Sequence, residues 1–579
     1  MAFEFIRSSV TMKTVLEAGR RHFTYAALFS ALLNLLFIVP MLYMLQVYDR
    51  VIPTKGHITL LFLTLVLVFA LGTLAALEAI RSRLLVRAGV RINAVMAGPI
   101  MQATLQQSDS SQRLARQAVR EFDILRQALS GPAMLGLLDA PWVPVYILIA
   151  FLVHPWVGVL TTLGAVLIVF LAWRNEVTTR PPLQEANAAS GASYAAYDAT
   201  VAASDTVRAL GLRDAMVVGH LADRRTATTL QTDAGMISAR LSAHSKFVRL
   251  LLQSLALGVG ALLAIDAKIS PGAVFACMFI VGRALAPIDQ LVGGWRVIIQ
   301  AQNAIGVLDE LLGSAPIDIS RTRLPEPSGK LEVMGLVKGT PGQKPILLNI
   351  GFTLEPGEVL AIVGPSGAGK STLVRAIAGA ISANSGFIRF DGAEQRDWDP
   401  EQLARHVGFM PQETTLFAGT IKDNISRFQR LLGETPADID EQTIAAAKLA
   451  KAHDMILQLP GGYDHRLQLG GRGLSAGQAQ RIALARALFR DPRYVILDEP
   501  NASLDAEGDA QLVVTLEELK KRGATQLIVA HRLSVLPVVD KLLVLRNGQM
   551  AHFGARDDVL RQISPPAPSR VAAGGRRDQ

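Results

Sequence analysis

Residues 364–372 read Gly-Pro-Ser-Gly-Ala-Gly-Lys-Ser-Thr. An apolar run at 359–363 leads in and a helix-forming run at 373–378 leads out. Strand, glycine-rich loop, Lys-Ser and helix, in that order, make a phosphate-wrapping P-loop. Gly364, Gly367 and Gly369 let backbone N–H groups curl around an anion, with the helix N-terminus behind them. Pro365, Ser366, Ala368 and Thr372 complete the loop. Lys370 is expected to reach β- and γ-phosphates, and the Ser371 hydroxyl to hold Mg²⁺. A chance glycine-rich turn would have no metal carboxylate downstream. Here residues 494–497 form an apolar run that ends in Asp498 and Glu499. Asp498 suits a Mg²⁺ ligand acting through water, and Glu499 is placed to polarise an attacking water.

A second phosphate-binding feature follows the P-loop. Leu-Ser-Ala-Gly-Gln at 474–478 precedes a helix expected over 479–488. Ser475 is an expected N-cap, and that helix end offers N–H groups and a positive dipole to an anion. One chain has no use for two such cradles on one nucleotide. Two copies sandwiching the nucleotide between them do.

The elements that must position these residues begin near Leu331, where short strands and helices alternate as in an α/β domain, expected to run over 331–563. Before it, residues 313–330 are Pro-rich and read as a linker. After it, the Pro/Gly-rich tail 564–579 is expected to be disordered.

The first half is different. Half of the 579 residues are hydrophobic and mean hydropathy is +0.31. Residues 1–22 read as a cytoplasmic N-terminal arm, and 23–312 as a membrane domain. A span needs roughly 20 apolar residues. Candidate spans are 23–47, 58–77, 134–152, 156–173, 247–265 and 273–292. The first is too long for a signal-peptide core and no cleavage site follows, so it reads as uncleaved. His154-Pro155 joins spans three and four as a tight hairpin. Arg81, Arg83, Arg87 and Arg91 follow span two, and Arg113, Arg116, Arg120 and Arg126 precede span three. Arg174 and Arg180 follow span four, whereas the other connecting loops carry few charges. The positive-inside rule then places the long loops and both termini in the cytoplasm. A net charge of +9 and a pI near 9.7 are therefore explained by membrane flanks, and nucleic acid is not an expected partner. The single cysteine, Cys277, excludes a disulfide framework within the chain.

The long loops, 78–130 and 174–246, have helical periodicity and read as spans two to five extended into the cytoplasm. Each is expected to present a short turn to the ATPase, at 113–126 and 205–214; a solvated helix pair touching nothing is the alternative. Arg283 falls inside span six, facing a bundle interior or snorkelling at its edge. Asn34 and Pro40 in span one read as packing and a kink, with substrate contacts as the alternative.

The motif set resembles that of the ABC transporter ATPases. Residues 474–478 with Arg481 and the run after it resemble the family signature. Gln412, in Phe-Met-Pro-Gln-Glu, matches the Q-loop; residues 500–505, ending in Asp505, match the D-loop; His531, in Ile-Val-Ala-His-Arg, matches the switch histidine. In the membrane half, the runs at 43–51, 139–142, 154–156 and 282–288 resemble the protease, lipase and S-layer protein exporters of type I secretion in Gram-negative bacteria. The resemblance implies a six-span α-helical exporter domain fused to an α/β nucleotide-binding domain. It implies a homodimer in the bacterial inner membrane that hydrolyses ATP with Mg²⁺. Glu499 and His531 would be catalytic. Gln412, Ser475, Gly477, Gln478 and Asp505 would contact nucleotide, with Ser371, Gln412 and Asp498 around the metal. It implies export of a polypeptide with a C-terminal signal, handed to a membrane-fusion adaptor and an outer-membrane channel. The room before span one implies no leader-cleaving peptidase.

Three departures stand out. Ala476 replaces the usual second signature glycine, the adenine-stacking aromatic expected near Val337-Lys338 is missing, and residues 467–473 lack the usual acidic residue. The D-loop's Asn-Ala-Ser is a smaller change. The alternative cargo is a lipid or small hydrophobic molecule. A soluble DNA-repair ATPase shares the signature but not six apolar spans, and a P-loop kinase has no use for the signature helix.

Overall fold

The computed structural model describes residues 9–106, 112–314, 323–340, 342, 344–468, 471, 473–530 and 532–563. The chain divides into two compact units, Met1–Pro316 and Ile317–Gln579.

Among the described residues of the first unit, six helical stretches are long and apolar enough to cross a membrane: Val10–Thr54, His57–Gln106, Pro132–Val153, Pro155–Ala202, Arg213–Ile265 and Pro271–Gly293. Three of them far exceed a bilayer. His57–Gln106, Pro155–Ala202 and Arg213–Ile265 have 50, 48 and 53 residues, about 75 Å each at 1.5 Å per residue against a hydrocarbon core of about 30 Å. Span three does not extend this way. Gly131 and Pro132 separate helix Gln112–Ser130 from Pro132–Asp139, because proline lacks the N–H that would continue the ladder. The turn expected at 113–126 is therefore a helix; the connection before it, 107–111, lies outside the described residues. At 205–214 the chain does turn, through the short helix Ser204–Ala209 and a break before Arg213.

The first stretch is not one helix. Val10–Leu36 stops, Val39–Gln46 restarts with Pro40 in its first turn, and a π-helical turn follows at Val47–Val51. That turn aims Asp49 at the N-terminus of Pro271–Gly293, where its carboxylate accepts from the Ser270 hydroxyl and, at 2.7 Å, from the Gly272 N–H. The start of the chain also differs from the expected arm. Ser9 caps a helix beginning at Val10, and Met12 and Val15 are buried with Ile92, Phe122 and Ile305. Two apolar side chains with a groove to fill do not stay in solvent. Residues 1–8 lie outside the described residues.

Arg81 corrects its sequence reading. It is not a solvated loop charge but only 4 % exposed. Its guanidinium donates to Asp139 at 2.8 Å and Ser30 at 2.9 Å. Asn34 donates to the same carboxylate at 2.9 Å, and Tyr146 donates to the Asn34 carbonyl at 2.8 Å. Arg283 sits mid-helix in Pro271–Gly293, half-buried, with its guanidinium 3.0 Å from the Phe37 ring centroid. It faces the bundle interior.

In the second unit, twelve strands run in chain order: β1 Leu331–Lys338, β2 Leu347–Leu354, β3 Val359–Val363, β4 Ser385–Phe390, β5 Ala393–Glu394, β6 Val407–Met410, β7 Gly419–Thr420, β8 Arg466–Leu467, β9 Tyr494–Asp498, β10 Thr525–Val529, β11 Lys541–Arg546 and β12 Gln549–Ala555. One sheet has the order β12-β11-β3-β10-β9-β6, parallel except for β12. The second, antiparallel, has the order β2-β1-β4-β5. Strands β9 and β10 are buried at every residue, as expected of parallel strands covered on both faces. The end of the expected linker is docked: the Leu324 backbone exchanges two hydrogen bonds with Gln402, and Ser328, Gly329 and Lys330 bond Asp391. Residues 315–322 and the tail 564–579 lie outside the described residues.

Candidate active site

The parallel register sets the site. Strand β10 pairs Val529 with Ile362 of β3 and with Asp498 of β9, and β6 pairs Met410 with Leu497. The loops after β3, β9, β10 and β6 therefore leave one edge of one sheet, the carboxyl edge where open α/β sheets bind ligands. Those loops carry the P-loop, Asp498-Glu499, His531 and Gln412. Gln412 is exposed in the bend two residues past Met410. His531 lies outside the described residues, as do Leu469, Gly470 and Arg472 of the pre-signature stretch.

The P-loop has the predicted strand, Val359–Val363, and a helix that starts earlier than expected, at Lys370. Gly369 is the helix N-cap at φ 95°, and a Cβ there would lie 2.8 Å from Leu347 and 3.0 Å from the Ile346 carbonyl. Only glycine fits both the dihedral and the space. Pro365, Ser366, Gly367 and Ala368 close the loop between Gly364 and this cap, and Thr372 lies in the helix's first turn. Lys370 is 5 % exposed and its ammonium donates to the Gly364 and Pro365 carbonyls at 2.9 and 3.1 Å. The loop thus holds its cation where phosphate oxygens would meet it.

Ser371 Oγ donates to Asp498 Oδ1 at 3.2 Å. The Ser371 hydroxyl would meet a Mg²⁺ ion directly, with the Asp498 carboxylate beside it to hold a water of the ion's shell. Among the described residues no cluster of three His, Cys, Asp or Glu side chains could hold a metal. Phosphate and water oxygens would have to complete its shell. Burial raises the Asp498 carboxyl pKa above the usual carboxylate range, opposed by the Ser371 hydrogen bond and reinforced by the Glu499 charge.

Glu499 has a left-handed backbone, φ 52°, a strained state for a residue with a side chain. Its N–H donates to the Val529 carbonyl at 3.2 Å, and its carbonyl accepts from Gln480 at 3.3 Å. Gln480, absent from the sequence reading, is 4 % exposed. It also donates to the Pro500 carbonyl at 2.7 Å and accepts from the Ser503 N–H at 3.0 Å. It ties the signature helix to the segment after Glu499. The signal was available: a second glutamine two residues after Gln478, directly before the run Arg-Ile-Ala-Leu-Ala.

The signature helix spans Ala476–Ala487, three residues earlier than expected. Ser475 caps it in a reciprocal box: its hydroxyl accepts from the Gln478 N–H at 3.3 Å, and its N–H donates to Gln478 Oε1 at 2.9 Å. Among the described residues Ser475 and Gln478 bond each other rather than the P-loop of their own chain. Ser475 is exposed and Gly477 half-exposed, leaving that helix end open. Asp505 caps Ala506–Lys521 through the Gly508 N–H at 2.8 Å and lies 3.9 Å from Arg481. Lys338, where the adenine aromatic was missed, turns its ammonium to the Ser382 carbonyl.

A cleft of about 700 Å³ in this unit is lined by Leu336 and by residues between Ala378 and Val407, and none of the P-loop residues lines it.

Comparisons with known proteins agree with this arrangement. The ABC transporter family matches residues 347–502, and the ABC transporter transmembrane region matches residues 23–284. The chain is 38 % identical over 542 residues to the type I secretion system ATP-binding protein PrsD of Rhizobium meliloti, covering 93 % of this chain and 92 % of that one. It is 28 % identical to the alpha-hemolysin translocation ATP-binding protein HlyB of Escherichia coli, over 93 % of this chain and 76 % of HlyB. It is 29 % identical to the cyclolysin secretion/processing ATP-binding protein CyaB of Bordetella pertussis, over 92 % and 75 %. A solved bacterial Atm1-family ABC exporter with ATP bound superposes with TM-score 0.79 at 22 % identity, over 94 % of this chain and 96 % of that one. It shows the shared fold.

Proposed function

This chain belongs to the type I secretion ATP-binding proteins of the ABC transporter family, and on that premise we propose that it exports an unfolded polypeptide at the expense of ATP. The observation that carries the engine is the shared sheet edge. The P-loop lysine, the Ser371–Asp498 oxygen pair and Glu499 all lie at that edge, which supports their acting on one phosphate group. The cargo class rests on relatives along nearly the whole chain, PrsD foremost.

In this reading Lys370 neutralises the γ-phosphate, and Ser371 and Asp498 hold Mg²⁺, with Gln412 beside them. When bound there, Mg²⁺ would supply positive charge to the phosphate groups. Glu499 polarises the attacking water, and His531 positions the γ-phosphate. The open helix end at Ser475, Gly477 and Gln478, with Asp505 nearby, completes the site of a second copy, so the working unit is a homodimer. The chain lies in the bacterial inner membrane with its ATPase unit and termini in the cytoplasm, and passes cargo to an adaptor and an outer-membrane channel. The turn near Ser204–Ala209 carries the stroke.

The test compares culture-medium proteins from cells carrying this chain and cells carrying Glu499→Gln. Loss of one or a few proteins from the medium, with their accumulation inside, is expected. An unchanged medium would remove protein export and leave lipid or small-molecule transport as the reading.

A further inference from the structure

A cleft of about 350 Å³ opens in the first unit between helices Gln112–Ser130, Pro155–Ala202 and Trp295–Ser314. This volume lies within the roughly 300–1,000 Å³ of ordinary ligand clefts. It lies beyond the apolar part of its longest wall, which ends near residue 173. Four carboxamides line it: Gln117, Asn187, Gln300 and Asn303. Each wall presents one face, because Gln300 and Asn303 are three apart, and Asn187, Gly191 and Tyr194 follow the helical repeat. Gln184 donates to Asn303 across 3.4 Å and ties two walls together.

The chemistry of the lining selects its occupant. A carboxamide has a peptide bond's own inventory: a carbonyl that accepts and N–H groups that donate. Four of them can pair with any backbone and read no side chain. The two charges present, Arg120 and Glu121, face each other at 3.6 Å, so the cleft offers no net field to a phosphate or a lipid headgroup. Ile124, Tyr194 and Val307 add apolar surface beside the carboxamides, where the side chains of a passing segment can rest. Gly191 lowers one wall: a Cβ there would find only the Gln117 amide, 3.7 Å away. Another backbone can come close at that point.

We propose that this carboxamide-lined cleft docks the backbone of an unfolded polypeptide segment, independently of its sequence. The inference rests on the export reading and deepens it by assigning a cargo contact.

The probe is reduced, carboxymethylated α-lactalbumin, which cannot fold, with native α-lactalbumin as control. Binding to full-length protein in lipid nanodiscs is measured by fluorescence anisotropy. The wild type is expected to bind the unfolded probe and not the native one. Gln300→Leu with Asn303→Leu, and separately Gly191→Leu, should weaken binding at least about tenfold, whereas Arg120→Gln should change it little. Basal ATPase without probe should be unchanged, which shows that the variants fold. A photocrosslinker in place of Tyr194 should capture the probe. The proposal is overturned by a wild type that ignores the probe, by unchanged affinity in the cleft variants, or by crosslinking only to a second copy of this chain. Its failure is separable from that of the export reading. A medium that changes with Glu499→Gln beside unaffected cleft variants keeps export and removes the cleft.

Discussion

The Gln480 carboxamide donates to the Pro500 carbonyl at 2.7 Å, from inside the signature helix to the residue after Glu499. The same amide accepts from the Ser503 N–H and reaches the Glu499 carbonyl. One buried side chain therefore holds the strained peptide on which the proposed general base stands. Gln480→Leu should strand buried carbonyls, at about 1–3 kcal/mol, and let Glu499 relax. We expect ATP binding to persist while hydrolysis falls at least tenfold. Phosphate release and nucleotide-binding assays on the same preparation check this, and an unaltered rate would show that Gln480 does not position Glu499.

Glu499→Gln keeps the shape and removes the base. General-base assistance contributes typically about 10²–10⁴-fold, so turnover should fall by that order with Mg²⁺-ATP affinity retained. Near-normal phosphate release would assign the base elsewhere.

Asp498 gives a pH-linked expectation. Its pKa is raised in the folded chain. The folded state therefore binds more protons than the unfolded state between the ordinary carboxylate pKa and the raised one, and stability falls as pH rises through that window. Above the raised pKa the full penalty is present. Asp498→Asn should raise the melting temperature of nucleotide-free full-length protein at pH 7, lose that advantage at a pH below the ordinary carboxylate pKa, and abolish Mg²⁺-dependent turnover. A lower melting temperature at pH 7 would contradict the sign.

Arg81 and Asp139 are both buried, and they bond across spans two and three. Removing one partner of such a pair costs about 3–5 kcal/mol, whereas replacing both by apolar residues is often neutral. Arg81→Leu or Asp139→Leu alone should lower the melting temperature of the purified protein by more than the double variant does. Additive losses in thermal unfolding would show that the two charges act independently.

The sequence by itself determined the parts whose signal is local. The P-loop is nine adjacent residues, and each span is one apolar run, so neither needs knowledge of a distant neighbour. The strand leading into the P-loop appears at 359–363 as read. Six helical stretches among the described residues are likewise long and apolar enough to span. Family motifs added the function, because their order along the chain is itself a sequence property.

Tertiary structure decided what depends on approach. Arg81 looks like any membrane-flanking arginine until Asp139, 58 positions on, is folded against it. Arg283 was open between a bundle interior and a membrane edge until Phe37 came under its guanidinium. Gln480 reads as one more polar helix residue until the loop after β9 folds back over it. The four carboxamides of the cleft come from three helices. Periodicity reports which side of a helix is apolar, but only packing brings polar residues from separate helices into one site. The physical reason is range: propensity and hydropathy act over a few residues, whereas burial and charge pairing act between whichever residues the chain brings together.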